Sequence, residues 1–161
     1  EPNGTYAVTA EGKQVFIEYA LPFDVPSLMG EWLHWLNGAL AEAEGNKLGV
    51  AELVATYAQA HIGFAHVHPF WDGNGRLARL LANLPLLAAG LPPLVIARES
   101  RQEYLKVLAA YQIEVGQLNR SKGVWPKPNL VGPFTQFLTQ EYKLTEDLLN
   151  AAFAQQQERR K

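Results

Sequence analysis

The architecture of this chain is best read from the stretch His68-Pro69-Phe70-Trp71-Asp72-Gly73-Asn74-Gly75-Arg76. Arg79 follows three residues later, and an apolar pattern with helical spacing begins at Leu77. A Gly-Asn-Gly turn that opens a helix leaves several backbone N–H groups unpaired and pointing in one direction, which suits a phosphate. The sequence therefore predicts a phosphate-binding loop at the start of a helix.

Four side chains in and just after this stretch suit phosphate-ester chemistry. His68 is the only residue of the run that can take a proton near neutral pH without a large pKa shift, so we expect a general base. Asp72 offers a hard oxygen ligand of the kind that Mg²⁺ accepts beside a nucleotide phosphate. Arg76 and Arg79 share a helix face and can reach the outer phosphates of one nucleotide. Together these residues predict chemistry on a nucleotide–Mg²⁺ complex.

The remaining pattern predicts a mainly α domain with one β-hairpin. Strand-type residues occupy 4–8 and 14–19, with Glu11-Gly12 between them. Helices are expected from Ser27, as an N-cap with Glu31 in the first turn, and over about 48–66, 76–89, 99–115 and 134–157. Gly45-Asn46 should separate the first two helices, and Pro85 should kink the third. Residues 116–133 should form a loop.

Composition limits the class of protein. The chain has 161 residues with 48% hydrophobic content, which is enough for one domain with a real core. A net charge of −2 argues against a nucleic-acid surface, and the basic end Arg159-Arg160-Lys161 is interpreted as a solvated helix end. The absence of cysteine excludes thiol catalysis and a disulfide frame. No apolar run approaches a membrane span and the first residues lack a signal-peptide layout, so we expect a cytoplasmic protein without membrane contact.

Other interpretations of the same residues are weaker. Residues 73–78 satisfy the dinucleotide pattern G-x-G-x-x-A, but a helix rather than a strand is expected before them. His61, His66, His68 and Asp72 could be metal ligands. However, His61 lies on an apolar helical stripe and is interpreted as a packed core residue, and His66 and His68 lack the spacing of a zinc pair. A capped helix start would explain Asp-Gly-Asn-Gly alone, but not His68 or the arginine pair.

The stretch from His68 to Arg79 resembles the core motif of the Fic (filamentation induced by cAMP) domain family, His-Pro-Phe-x-Asp/Glu-Gly-Asn-Gly-Arg-x-x-Arg, and meets every defined position. The hairpin at 4–19 resembles the target-positioning flap of that family, and Gly90-Leu91-Pro92-Pro93 with Tyr104 fits its downstream pattern. The resemblance covers roughly residues 4–116. It implies a Fic-fold helical bundle with a small β-hairpin flap beside the active site, and residues 1–161 would form a single such domain.

The resemblance implies a protein adenylyltransferase that moves AMP from Mg-ATP to a Tyr, Thr or Ser hydroxyl of a target protein. His68 would deprotonate the hydroxyl, and Asp72 would hold Mg²⁺ against the α- and β-phosphates. The amides of Gly73 and Gly75, together with Asn74, would stabilise charge on the attacked phosphate.

Further roles follow from the same resemblance. Arg76 and Arg79 would anchor the outer phosphates of ATP, and Phe70 would pack inward and fix the loop. Tyr104 and Gln112 would border the adenine, although the family often has Asn at the latter position. The flap residues Val15, Phe16 and Ile17 would pair with an extended target segment as an added strand. Doc-like kinases and phosphocholine-transferring relatives depart from the Gly-Asn-Gly-Arg segment, which is intact here and favours AMP transfer.

Many family members carry an inhibitory helix with the pattern Ser/Thr-x-x-x-Glu-Gly/Asn, whose glutamate pairs with the second motif arginine, Arg79 here. The sequence contains no such pattern, so we expect no self-inhibition within these residues. An upstream segment of a longer protein or a separate antitoxin partner would supply the inhibition. Two alternatives stay open, removal of AMP from modified targets and a non-catalytic nucleotide-binding or adaptor role. The intact His68 favours catalysis, because a binding domain needs no base.

Overall fold

The computed structural model describes residues 3–9, 12–45 and 48–159. Two antiparallel strands precede a helical body, which confirms the mainly α fold with one hairpin. The elements are β1 (Gly4–Val8), β2 (Gln14–Glu18), α1 (Val25–Glu44), α2 (Val50–Val67), α3 (Asn74–Ala82), α4 (Leu84–Ala88), α5 (Arg101–Val115), a 3-10 turn (Pro128–Val131) and α6 (Gly132–Glu158). Glu11 of the expected turn, Asn46 of the expected helix break, Arg160 and Lys161 lie outside the described residues.

Helix α2 lies at the centre of the molecule and is buried along most of its length. Its predicted apolar stripe is confirmed, since Leu53, Tyr57, His61 and Phe64 all lie in the core. Trp32 of α1 packs against it and donates its indole N–H to the carbonyl of Ala60 at 2.8 Å. Because other helices pack around α2, its C-terminal end is held in place, and so is the position from which the following loop begins.

The predicted N-cap at Ser27 is wrong, because the helix begins at Val25 and Asp24 takes the N-cap position, three residues earlier. Pro26 lies in the first turn, where its missing N–H needs no partner and its fixed φ suits a helix. Asp24 precedes the helix, and its carbonyl accepts a hydrogen bond from Leu28 N–H at 3.1 Å. The Asp24 carboxylate bonds to the Arg120 guanidinium at 3.1 Å instead of capping the helix.

The helix after the motif is not continuous to residue 89 as expected, since α3 ends at Ala82 and α4 runs only from Leu84 to Ala88. Pro85 lies in the first turn of α4 and cannot donate a backbone hydrogen bond to the preceding turn, so the predicted kink becomes a break at Asn83. The Asn83 side chain donates to the carbonyl of Leu94 at 3.0 Å and accepts from its N–H at 2.7 Å. The break therefore anchors the segment 91–97.

Helix α5 is positioned by α6. Glu141 of α6 is buried, and its carboxylate accepts hydrogen bonds from Ala97 N–H at 2.7 Å and from the Ser100 hydroxyl at 2.6 Å. These bonds hold the residues that lead into α5, which begins at Arg101 rather than at about 99. Helix α6 extends slightly beyond the expected 134–157 at both ends. Among the described residues, no helix combines the length and the apolar character that crossing a membrane requires.

The hairpin packs on the helical body near α5. Its register pairs Thr5 with Ile17 and Tyr6 with Phe16, and Ile17 is buried. The rings of Tyr6 and Phe16 lie 5.0 Å apart between centroids. Just after β2, the carbonyl of Tyr19 accepts a hydrogen bond from the Gln117 side chain at 3.1 Å. The hairpin therefore stands beside α5 and the residues that follow it.

Candidate active site

A cavity of about 1010 Å³ opens between the hairpin, the loop after α2, α3 and α5. The structure brings most of the predicted site residues to its wall. They are Ile17, His68, Asp72, Gly73, Asn74, Gly75, Arg76, Arg79, Tyr104 and Gln112. Val15, Phe16 and Phe70 do not line this cavity, whereas residues 5–9 of the hairpin do. One side of the cavity is thus formed mainly by β1, with Ile17 from β2.

His68 ends α2 in an unusual backbone conformation. Its φ of 54° makes it the only non-glycine residue with positive φ among those the structure describes. Such a conformation is uncommon outside glycine and is sustained only where surrounding contacts hold it. The imidazole stacks on the ring of Tyr19, with centroids 3.7 Å apart and planes inclined by 5°. The ring is therefore fixed on one face.

The hydrogen bonding of His68 leaves one ring nitrogen free for chemistry. Nδ1 lies 3.3 Å from the carbonyl of Ala65, so the tautomer that satisfies this contact carries its proton on Nδ1 and leaves Nε2 as an acceptor. Burial lowers the pKa of His68 below its ordinary value of 6.5, and the Ala65 carbonyl partly opposes this effect. At neutral pH the imidazole is uncharged and can accept a proton.

The side chain of Asn74 holds the loop rather than a ligand. It is only 2% exposed; its Nδ2 donates to the Phe70 carbonyl at 2.6 Å, and its Oδ1 accepts from Phe70 N–H at 3.0 Å. Because the side-chain amide is already used, the predicted contribution of Asn74 to phosphate binding would have to come from its backbone N–H. The free donors are backbone N–H groups at the start of α3, which lack acceptors within the helix.

Phe70 does not pack inward, so this expectation is wrong. Its side chain is 53% exposed, and its ring centroid lies 6.3 Å from that of Phe64. The loop is fixed through the backbone of Phe70, which the Asn74 side chain grips at both its N–H and its carbonyl. The ring is consequently not needed for that purpose and stays partly in solvent.

Asp72 and Arg76 form an exposed pair at the mouth of the cavity, with Oδ2 and Nη2 3.4 Å apart. Exposed pairs of this kind contribute little and open readily for a ligand. Asp72 presents a single accessible carboxylate, and the described residues hold no cluster of three or more potential metal-ligating side chains. That donor set fits Mg²⁺ bound together with nucleotide phosphates, which needs only one or two protein carboxylates.

A chain of three side chains runs from the core to the cavity. His61 of α2 is fully buried, and its Nε2 lies 3.1 Å from the hydroxyl of Tyr104. Arg79 donates to the same hydroxyl at 3.4 Å, and its guanidinium lies 5.8 Å from the centroid of the Tyr104 ring. Burial and then the charge of Arg79 lower the pKa of His61 to about 3, so the ring is neutral and can accept the Tyr104 O–H. The three groups thereby fix the direction of the Arg79 side chain.

Sequence reasoning identified His61 as a core residue and missed this role. A signal existed, because a polar ring on an apolar stripe requires a buried partner. Its partner Tyr104 lies 43 residues away, on α5.

We expect Tyr104→Phe to weaken ATP binding by about 3–10-fold, the usual net worth of one hydrogen bond. The ring would still pack near Phe134 and Phe137, while Arg79 would lose its acceptor. Calorimetric titration with ATP measures the effect. Tyr111→Phe on the same helix is the matched control, since no partner for its buried hydroxyl is found among the described residues. Equal losses in the two variants would contradict a positioning role for the Tyr104 hydroxyl.

Comparisons with known proteins agree with this geometry. Residues 3–86 match the Fic/DOC family. The chain is 40% identical over 87 residues to the protein adenylyltransferase Fic of Drosophila grimshawi and to that of Drosophila mojavensis; these matches cover 54% of this chain and 17% and 16% of the relatives. The crystal structure of a Fic domain containing signaling protein from Bacteroides thetaiotaomicron superposes with a TM-score of 0.65 at 35% identity, over 86% of this chain and 48% of that one. The chain thus spans a small part of the adenylyltransferase relatives.

Proposed function

Because the chain belongs to the Fic/DOC family, we propose that it is a protein adenylyltransferase, which transfers AMP from Mg-ATP to a Tyr, Thr or Ser hydroxyl of a target protein. The observation that carries this proposal is a neutral imidazole, His68, in the same cavity as the N–H-rich start of α3 and the guanidinium of Arg79. That combination places a base, which can deprotonate a target hydroxyl, beside a site that can bind the phosphates of a nucleotide.

In the proposed reaction, Nε2 of His68 takes the proton of the target hydroxyl as its oxygen attacks the α-phosphorus of ATP. The new P–O bond forms while the bond to pyrophosphate breaks, and pyrophosphate leaves with its electron pair. The backbone N–H groups at the start of α3 stabilise the charge on the attacked phosphate, because they are already oriented before the reaction. His68 therefore acts on the target and α3 acts on the nucleotide.

The arginines bind the leaving portion of the nucleotide in this proposal. Arg79 is held by Tyr104 and bonds to the outer phosphates, and Arg76 joins it once its contact with Asp72 opens. Asp72 is the residue that would hold Mg²⁺, and the ion would neutralise phosphate charge. Tyr104 and Gln112 lie on the α5 side of the cavity, which leaves that wall for the adenosine.

The side of the hairpin toward the cavity is available for the target. Thr5 to Thr9 line the cavity, so an extended target segment beside His68 would run along β1 rather than along Val15 and Phe16 of β2. Strand addition of this type draws its affinity from backbone hydrogen bonds and tolerates different side chains.

The proposal is tested with ATP that carries the label on either the α- or the γ-phosphate, incubated with the chain and a cell lysate. We expect label on protein from α-labelled ATP only, since AMP is transferred and pyrophosphate is released. Label from γ-labelled ATP would indicate phosphoryl transfer and reject the proposal. Absence of label in both incubations, with ATP bound to the chain, would favour a non-catalytic nucleotide-binding domain.

We expect Asp72→Asn to raise the Mg²⁺ concentration needed for half-maximal ATP binding by about tenfold or more. Loss of groups that only support a metal ligand already lowers metal affinity ~10–100-fold, and loss of a ligand should do at least as much. ATP binding without Mg²⁺ should not weaken, because the carboxylate repels the phosphates. Titrations with ATP at several Mg²⁺ concentrations measure the change. Asp147→Asn, at an exposed position of α6, is the control. An unchanged Mg²⁺ requirement would remove Asp72 from this role.

A further inference from the structure

A second cavity, of about 580 Å³, lies next to the first. It lies between the start of β1, the segment that leads from β2 into the first residue of α1, and the beginning of the loop after α2. The lining residues are Asn3, Gly4, Pro22, Val25, His68, Pro69, Phe70 and Trp71. His68 and Trp71 line both cavities, so the imidazole stands at the boundary between them.

The two cavities differ in charge. The first is lined by several charged side chains, both acidic and basic. They are Asp72, Arg76, Arg79, Arg98, Arg101, Glu103 and Lys106. The described lining of the second contains no Asp, Glu, Lys or Arg, and its histidine, His68, is neutral at pH 7. A polyanionic nucleotide is complementary to the first cavity, whereas the second is complementary to an uncharged, apolar group.

Trp71 is the most conspicuous residue of the second cavity. Its side chain is 98% exposed, although the loop that carries it is fixed by Asn74. Phe70 beside it, and Leu21 and Phe23 on the segment between β2 and α1, are also exposed. Exposed aromatic side chains grouped beside a cavity are typical of protein interaction sites, where tryptophan often contributes a large share of the affinity.

We propose that Trp71 and the second cavity bind the part of the target protein that flanks the accepting hydroxyl, and that they select an apolar or aromatic side chain there. This inference rests on the proposed function, since it assumes that a target hydroxyl reaches His68. Consecutive residues of an extended chain are only about 3.3–3.8 Å apart. Side chains next to the hydroxyl residue therefore fall into the space that adjoins His68, and the nucleotide occupies the other side.

The test uses the complete chain, α-labelled ATP and a randomised peptide library with one Tyr, Thr or Ser at a fixed central position. We expect enrichment of apolar or aromatic residues at one defined position within three residues of the acceptor. Trp71→Ala should abolish that enrichment and raise the KM of the selected peptide by about 30-fold, the scale of an interface tryptophan, with a smaller change in kcat. Trp71→Phe should restore much of the affinity, and Phe153→Ala, an exposed aromatic on α6, should change nothing.

A second variant tests the cavity itself. Val25 lies at the first position of α1 and is only partly buried, and an acidic residue at this position is favourable to a helix, so Val25→Asp should fold, which its circular dichroism spectrum checks. It places a carboxylate in the second cavity, and we expect the selected residue to change from apolar to Lys or Arg.

The outcomes separate this inference from the proposed function. No positional preference, or the same preference in wild type, Trp71→Ala and Val25→Asp, overturns the inference alone. Labelling of lysate proteins without labelling of any peptide also overturns it, because recognition would then not depend on neighbours in an extended segment. If neither lysate proteins nor peptides take the label, the proposed function fails as well.

Discussion

Replacing His68 with alanine or asparagine will lower the rate of AMP transfer by about 10²–10⁴-fold, the usual contribution of a general base, while ATP stays bound. In the proposed reaction the imidazole acts on the target hydroxyl, whereas the phosphates are bound by groups of α3 (Asn74–Ala82). Two variants are needed because His68 has a φ of 54°, a conformation that asparagine tolerates better than alanine. His68→Asn therefore removes the base with less disturbance of the backbone.

The rate is measured with α-labelled ATP, and ATP binding is measured by calorimetry on the same preparations. The pH dependence supplies a further check. Since burial lowers the pKa of His68, the wild-type rate should be level at pH 7 and above and should fall only below pH 6.5. A variant that labels targets at the wild-type rate would rule out His68 as the base.

Lowering the pH from 6.5 towards 4 will destabilise the fold by several kcal/mol. His61 and His66 are fully buried, and burial lowers their pKa values to about 3 and about 4. The unfolded chain binds protons at these residues near pH 6.5 and the folded chain does not, so stability is complete above 6.5 and is lost as the pH falls towards the folded values. The loss is large beside the ~5–15 kcal/mol that stabilises a typical domain.

Urea unfolding at pH 7.5, 6, 5 and 4.5 measures this loss. His66→Phe should reduce the pH dependence and leave the part that His61 contributes, because His66 packs 5.8 Å from the Tyr111 ring and neither ring nitrogen has a hydrogen-bond partner among the described residues. His34→Ala, at an exposed position of α1, should leave the slope unchanged. A free energy of unfolding that stays constant between pH 7.5 and 4.5 would contradict the prediction.

Features that depend on nearby residues could be predicted from the sequence. The residues from His68 to Arg79 are contiguous, so the loop, the helix start and the grouping of His68, Asp72 and the arginines in one cavity follow from a short stretch. The hairpin and α2 follow from alternating and helical spacing in the same way. The break at Asn83 is predicted from the sequence as a kink, because Pro85 disrupts the hydrogen bonds of its own helical turn.

Features that depend on residues far apart in the chain could not be predicted from the sequence. The start of α1 differs because Asp24 bonds to Arg120, far along the chain, and Pro26 allows an earlier beginning. The link between His61 and Tyr104 joins two helices that no local pattern relates. Asn74 is a different case: its partner is only four residues away, but a glycine-rich loop has many conformations, and only the folded one shows that the amide is used.

Asn83 has a mechanical consequence for the cavity. Its side-chain nitrogen donates both to the carbonyl of Arg79 and to that of Leu94, and its oxygen accepts from Leu94 N–H. The end of α3 and the irregular segment 91–97 are therefore joined by hydrogen bonds to one side chain, so that neither can shift without the other. A displacement of Ile96 or Ala97 at the cavity wall would be transmitted to the residue proposed to bind the outer phosphates. These two walls should consequently move together, and slow hydrogen exchange at the Leu94 amide would show that the bond which couples them persists.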